Sequence, residues 1–234
     1  MNEGEKSMAE AKARLLAAAA PHVPFDGWSQ TTFRAAISDS QMPPGLAQAL
    51  FPRGGIDLAV EWHRAGDAGM AEALARRNDL GALKFRARVA LALRLRLEAT
   101  DRELLRRSSA LFSLPAHAAE GAGLIWATAD AVWRALGDGS RDVNWYTKRA
   151  TLSAVWGASV LFWLGDESEG QSATWDFLDR RIENVMQFEK AKAAFAENPL
   201  GRALLNGPFR ILERVRAPQS RGNLPGQGER PAET

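Results

Sequence analysis

The spacing of the helix breakers constrains the fold of this chain more than any other feature of its sequence. Glycine and proline divide the 234 residues into segments about one helix long, and alanine, leucine, arginine and glutamate dominate those segments. These four residue types favour helix, whereas the β-branched residues that favour strands are sparse. The sequence therefore predicts an all-α fold.

The stretch from Asn144 to Arg181 contains the longest uncharged run, residues 150–164. Aromatic and other large residues recur in it at the spacing of one helix face, and small residues form a second stripe beside them. The first stripe comprises Trp145, Leu152, Trp156, Ser159 and Trp163, and the second comprises Ala150, Ser153, Ala154, Gly157 and Ala158. Such a helix either packs tightly in a core or leaves room for a long apolar ligand, and the residues alone keep both interpretations open.

Several classes of chemistry lack their residues in this sequence. There is no cysteine, which excludes disulfides, thiolate metal sites and cysteine nucleophiles. No glycine-rich phosphate loop and no Gly-x-Ser-x-Gly elbow occurs. The three histidines are scattered, and His63 with Asp67 one turn later is interpreted as an ordinary surface pair. We therefore predict no catalysis, no metal and no cofactor.

Residues 1–55 have the layout of a helix-turn-helix head. The sequence predicts a helix over residues 7–20, a helix capped by Ser29, a turn over residues 41–45, and a short helix over residues 46–51. Joined to a helical body, this head resembles the TetR-type regulator architecture. A DNA-binding transcriptional regulator with a hydrophobic effector pocket is thus the alternative function.

The charges in the head argue against that alternative. No lysine or arginine lies between Arg34 and Arg53, and Gln48 is the only plausible base reader on the short third helix. Phosphate neutralisation supplies most of the affinity for DNA, and direct readout needs several polar side chains. We therefore predict no nucleic-acid partner and expect this helix to be a buried packing element.

The C-terminal residues form two further segments in the prediction. Residues 198–216 are expected to form a basic amphipathic helix and residues 217–234 a disordered tail rich in proline and glycine. The helix either lies on anionic lipid or docks on its own domain, and both possibilities stay open. Its membrane-binding candidates are Leu204, Leu205, Phe209, Arg210 and Leu212.

Localisation follows from the apolar runs and the N-terminal charges. No run reaches the roughly 18 apolar residues that a membrane-spanning helix needs. Residues 15–20 look like the core of a signal peptide, but Glu3, Glu5 and Glu10 precede them, which favours a first helix and argues against a mitochondrial transit peptide. We therefore expect a cytoplasmic protein.

The motifs together resemble the coenzyme Q biosynthesis protein nine family. The most specific is Asn-Trp-Tyr-Thr-Lys-Arg at residues 144–149, supported by the Gly-Asp-Gly-Ser loop at 137–140, Thr-Trp-Asp-Phe-Leu at 174–178 and Phe-Pro-Arg-Gly-Gly at 51–55. The resemblance covers residues 15–197. It implies a TetR-like fold without DNA binding, in which residues 56–197 form a body that binds an isoprenoid lipid or quinone intermediate.

The resemblance also implies partners and site residues. The protein would present its lipid to a di-iron demethoxyubiquinone hydroxylase, associate peripherally with the membrane surface, and form a homodimer. Because it departs from eukaryotic members in lacking a targeting extension, the resemblance points to a bacterial-type, cytoplasmic form. Its candidate lipid-binding residues are Trp126, Trp133, Leu152, Trp156, Val160 and Trp163. Its candidate hydroxylase contacts are Trp175, Phe177, Leu178 and Arg181.

Overall fold

The computed structural model describes residues 3–141 and 143–197, without the side chains of residue 186 and residues 188–197. Within these ranges the chain is helical and contains no strand, which confirms the all-α prediction. The helices are α1 (Glu3–Ala19), α2 (Val23–Asp26), α3 (Gln30–Ser40), α4 (Pro44–Leu50), α5 (Gly55–Ala75), α6 (Phe85–Glu98), α7 (Arg102–Ser113), α8 (Ala118–Ala135), α9 (Val143–Leu164) and α10 (Ser172–Glu197). Short 3₁₀ turns at Leu80–Ala82 and Glu169–Gln171 precede α6 and α10.

The cap signals in the sequence locate one helix start correctly and misplace another. Ser29 accepts a hydrogen bond from the backbone N–H of Thr32 and begins α3, as predicted. The run Thr100-Asp101-Arg102-Glu103 has the spacing of a capping box and predicts an N-cap at Thr100, but Asp101 is the N-cap of α7 and accepts from the N–H groups of residues 103 and 104. The Thr100 hydroxyl is instead occupied by the guanidinium and the backbone carbonyl of Arg96.

Two apolar cores run through the described residues. One lies under α1–α5 and also takes Leu104, Phe112 and Leu124 from α7 and α8. The other lies among α5, α6, α8, α9 and α10 and contains Trp133, Trp156 and Trp163. Because α7 and α8 contribute to the first core, the helix-turn-helix head is packed directly on the body.

The expectation that the short helix α4 is buried is wrong. Of its residues only Ala47 is buried and Leu50 half-buried, while Leu46 is 42% exposed. A helix this short at the edge of the head turns only one narrow side toward the core, so its other apolar residues remain outside. Gln48 is exposed as well, but its side-chain amide donates to the carbonyl of Pro52 at 2.7 Å.

A buried arginine joins α6 to α5. The Arg96 side chain is 2% exposed and its Nε donates to Asp67 at 2.8 Å. The guanidinium lies against Gly66, where an added Cβ would come within 2.4 Å of Arg96 Cζ. The interpretation of His63 and Asp67 as a surface pair is therefore wrong, because Asp67 is buried beneath Arg96 and accepts from Thr128 of α8 at 2.9 Å.

A second buried arginine joins α9 to α8. Arg149 is 2% exposed, and its guanidinium donates to Asp130 at 2.6 Å and to Asp138 at 3.1 Å. Lys148 also donates to Asp138, at 2.8 Å. Burial opposes ionisation of Asp138, but the hydrogen bonds from Lys148, Ser140 and Arg149 prevail and lower its pKa to about 2. The loop at 137–140 is thus tied to the start of α9.

Among the described residues, none of the helices combines the length and apolar character needed to cross a membrane.

Replacing Arg149 with methionine should destabilise the fold strongly. The change removes the cation but leaves Asp130 and Asp138 buried, and loss of one partner of a buried ion pair costs about 3–5 kcal/mol. Chemical denaturation would measure the loss in free energy of unfolding. Arg134→Met is the matched control, because Arg134 pairs with the same Asp130 but is 76% exposed, and we expect it to cost less than about 1 kcal/mol. Equal, small losses in both variants would contradict this role of Arg149.

Candidate functional site

The structure contains a cavity of about 350 Å³ between α7, α8 and α9, which we call the α7–α9 cavity. Its volume lies in the range of small-molecule sites in proteins. Its walls come from His63 of α5, Leu105, Ser108, Ser109, Phe112 and Ser113 of α7, Ala118, Gly121, Ala122, Leu124 and Ile125 of α8, and Trp156, Gly157, Val160 and Leu161 of α9. None of these lining residues carries a formal charge at neutral pH.

The α7–α9 cavity has a buried floor and an open side. Leu105 and Trp156 are almost fully buried, at 2% and 3% exposure, and Ser108 is inaccessible. On the other side Leu161 is 70% exposed and Ile125 is 37% exposed. A ligand can therefore reach the floor from the surface beside these two residues.

Gly157 opens this cavity on the α9 side. A Cβ added there would meet only Ile125 Cδ1, at 3.8 Å, so the backbone of α9 borders the space directly. The small-residue stripe of α9 thus divides between two surfaces. Gly157 faces the cavity, whereas Ala154 and Ala158 face a groove toward Phe177 and Arg181 of α10.

His63 is the titratable side chain of this cavity. Its Nε2 and the Ser108 hydroxyl are 2.6 Å apart, while its Nδ1 is buried and has no hydrogen-bond partner. The imidazole packs edge-on against Trp62 and Phe112. Burial, reinforced by the positive charge of Arg96, lowers the pKa of His63 to about 3. The imidazole is therefore uncharged at physiological pH.

A second cavity of about 260 Å³, the α6–α10 cavity, lies on the other side of α9. Its apolar lining includes Val89, Trp133, Leu152, Val155 and Ile182, and its rim carries Arg86 and Lys148. Both cations are already paired, Arg86 with Glu183 and Lys148 with Asp138.

The candidate lipid-binding residues divide between the two cavities. Trp156 and Val160 line the α7–α9 cavity, and Trp133 and Leu152 line the α6–α10 cavity. Trp126 lines neither cavity and packs against Trp145, with ring centroids 6.0 Å apart. Trp163 also lines neither, since it is 3% exposed beneath Arg102. The structure thus does not bring these six candidates together around one cavity.

The candidate hydroxylase contacts on α10 have different environments. Phe177 is half-buried and stacks on the exposed Phe162 at 4.4 Å, and Arg181 lies over the Phe177 ring. Trp175 is half-buried, donating from Nε1 to the carbonyl of Gly170 at 2.9 Å beneath Arg94. Leu178 is 2% exposed and belongs to the body core, so the expectation of a surface contact at this position is wrong.

The remaining candidates fall outside the part of the chain that the structure describes. Leu204, Leu205, Phe209, Arg210 and Leu212, together with the segments 198–216 and 217–234, lie beyond residue 197.

The sequence interpretation missed the polar side of the α7–α9 cavity. Ser108, Ser109 and Ser113 share one side of α7 with Leu105 and Phe112 at helical spacing. That stripe is visible in the sequence, but serine on an Arg-rich helix resembles an ordinary solvated face. The pairing of His63 with Ser108 gave no signal in the sequence, because the two residues are 45 positions apart in the chain.

Known proteins resemble this chain in both sequence and fold. Residues 118–189 match the model of the COQ9 family. The protein named ubiquinone biosynthesis protein COQ9, mitochondrial, from Drosophila melanogaster is 28% identical over 76% of this chain, and the match spans 56% of that protein. The protein of the same name from Homo sapiens is also 28% identical, over 88% of this chain and 66% of its own length.

A TetR transcriptional regulator from Nitrosomonas europaea has a similar structure. Its TM-score is 0.60, with 17% sequence identity, covering 74% of this chain and 97% of that chain. This similarity confirms the TetR-like helical fold. The matches in sequence confirm the family resemblance read from the motifs at 137–149 and 174–178.

Acidification should weaken the fold partly through His63. The unfolded imidazole takes up a proton below its ordinary pKa of about 6.5, whereas the folded one remains neutral down to about 3. The contribution of His63 to the free energy of unfolding is thus fully present above about pH 6.5 and is lost as the pH falls toward 3. Between pH 7 and pH 5 the loss is at most about 2 kcal/mol. Comparing the unfolding free energy of the wild type and His63→Gln at both pH values isolates it. An identical pH dependence in the two proteins would contradict the depressed pKa.

Proposed function

We propose that this chain, which carries a COQ9 domain, acts as a lipid-binding accessory protein of ubiquinone biosynthesis. It would hold a polyprenyl-quinone intermediate and present it to a demethoxyubiquinone hydroxylase at the membrane surface. The observation that carries this proposal is the α7–α9 cavity, which combines a buried apolar floor with an exposed rim. All of its lining residues on α8 and α9 lie within the stretch that matches the COQ9 family.

Hydrophobic burial supplies the energy that this role needs. A prenyl chain leaves the bilayer only if another apolar environment replaces the one it loses. Each buried methylene group is worth about 0.8 kcal/mol, so one isoprene unit enclosed at the floor contributes several kcal/mol. Trp156 and Leu105 provide that apolar environment, and Leu161 at the rim extends it outward.

The chain would bind and present its ligand without performing chemistry on it. The α7–α9 cavity offers hydrocarbon, serine hydroxyls and a neutral imidazole, and the hydroxylase would supply the reactive centre. The lack of a recognisable catalytic motif in the sequence favours a protein that binds the ligand and leaves the reaction to the hydroxylase. The alternative role as a DNA-binding regulator finds little support in the head, because α4 carries no cation and its Gln48 amide is occupied by Pro52.

The stacked aromatic pair of the exposed Phe162 on α9 and the half-buried Phe177 on α10 fits the hydroxylase contact best. Phe162 and Phe177 stack beside the exposed Arg181, so the patch combines aromatic area with a cation. Aromatic residues and arginine are the side chains that contribute most at protein interfaces. Trp175 lies near this face of the helix, but Arg94 covers its ring and its Nε1–H donates to the carbonyl of Gly170.

Membrane association and a homodimer complete the proposal. The exposed Leu161 and Ile125 surround the open side of the cavity, where a lipid would enter. The basic helix predicted over residues 198–216 would add attraction to anionic lipid. A bacterial-type protein of the cytoplasm, peripherally bound to its membrane, remains the predicted setting.

Filling the α7–α9 cavity should abolish lipid binding without unfolding the protein. Gly157→Leu places a side chain in the cavity from a position with room for it. Native mass spectrometry should detect a prenyl lipid that co-purifies with the wild type and is lost from this variant. Gly123→Leu makes the same change on α8 at an exposed position with nothing nearby, and should retain the lipid. Equal lipid content in all three proteins would refute the assigned site.

Substitutions at two neighbouring positions of α10, Phe177 and Leu178, should distinguish the proposed hydroxylase contact from the core. Phe177→Asp should weaken binding of the hydroxylase at least tenfold in a pull-down titration, while the unfolding free energy changes by less than about 1 kcal/mol. Leu178→Ala should instead destabilise the protein by about 2–5 kcal/mol, because it leaves a hole in the core. Undiminished hydroxylase binding by a folded Phe177→Asp protein would remove this patch from the proposal.

A further inference from the structure

The two sides of the α7–α9 cavity differ in chemistry. The α7 side presents three serines, Ser108, Ser109 and Ser113, and the neighbouring α5 adds His63. The α8 and α9 side presents only hydrocarbon and glycine, with Trp156 at the floor. A purely hydrocarbon ligand would leave the buried Nδ1 of His63 without a partner, and an unpaired polar atom is costly in a buried site.

His63 and Ser108 form an uncharged pair at the polar side. Each can donate or accept a hydrogen bond, and the contact between them leaves the Nδ1 of His63 unpaired. A buried polar atom without a partner is rare in folded proteins and calls for a ligand or a water molecule. Because the pKa of His63 is depressed to about 3, the pair stays neutral at physiological pH.

The lining also selects against charged ligands. No lysine or arginine is among the lining residues described for this cavity, so a phosphate or diphosphate group would be desolvated there without a counter-charge. An oxygen atom on an uncharged ring loses far less on desolvation and can pair with a hydroxyl or an imidazole. The polar side therefore fits a carbonyl or phenolic hydroxyl.

We infer that the α7–α9 cavity binds the uncharged, oxygen-bearing ring of its ligand against His63, Ser108 and Ser109, with the apolar chain leaving between Ile125 and Leu161. The inference rests on the proposed function and adds the orientation and the head-group class. The Nδ1 of His63 is buried, so the imidazole would have to turn slightly to meet the ligand oxygen. Ser109, half-buried in the same wall, needs no such movement.

Three probes that have isoprenoid chains of the same length but differ in the head group test the inference. They are a farnesyl-substituted benzoquinone, farnesyl diphosphate and the hydrocarbon farnesane, each titrated into the full-length protein by calorimetry. The wild type should bind the quinone at least tenfold more tightly than the diphosphate. Ser109→Ala and His63→Leu should each weaken quinone binding about three- to tenfold, the effect of one neutral hydrogen bond, and leave farnesane binding unchanged.

Two further variants separate recognition from structure. His63→Gln keeps a neutral group that donates and accepts, and should retain most of the quinone affinity lost in His63→Leu. Ser153→Ala removes a buried hydroxyl that also lacks a partner but lies outside the cavity lining, and should change nothing. Ser109→Ala remains decisive if His63→Leu fails to fold.

The outcomes distinguish this inference from the function on which it rests. Equal affinity for the quinone and farnesane, or tighter binding of the diphosphate, would overturn the head-group assignment while leaving chain binding intact. An unchanged quinone affinity in Ser109→Ala together with His63→Leu would overturn it as well. Failure of the wild type to bind any of the three probes would instead count against the lipid-binding function itself.

Discussion

Two buried arginines hold the helical body in its shape. Arg96 fixes α6 against α5 through Asp67, and Arg149 fixes α9 against α8 through Asp130 and Asp138. Each side chain is 2% exposed, so each carboxylate partner offsets a desolvation cost that would otherwise oppose folding. Both contacts also impose distance and direction, which apolar packing alone does not. The positions of α8 and α9, and hence of both cavities, depend on them.

Arg149 also explains the positions of the two most distinctive sequence motifs. The run at residues 144–149 supplies Lys148 and Arg149, and the loop at 137–140 supplies their acceptor Asp138. The two motifs are therefore halves of one charge network at the junction of α8 and α9. The family resemblance in this region reflects the way the body is assembled, and the residues that line the α7–α9 cavity come about two to three turns later along α9.

Helical periodicity was sufficient for the fold but not for the site. Breakers and caps such as Ser29 located most helices, because those signals act over a few neighbouring residues. The buried face of α9 was also visible, with Trp156 and Trp163 in the core. Periodicity could not show that Trp163 packs under Arg102 while Trp156 borders a void, since that depends on which helix lies opposite. For the same reason it could not pair His63 with Ser108.

The open side of the α7–α9 cavity has a consequence for how ligand affinity should depend on the length of the prenyl chain. If the ligand binds as proposed, a space of about 350 Å³ would enclose the ring end and only the first part of a long prenyl tail. Carbon atoms beyond Leu161 and Ile125 would then lie outside the cavity whatever their number. Affinity should therefore rise with the first isoprene units and then reach a plateau. A protein of this design would serve organisms whose quinones differ in tail length without any change in its interior.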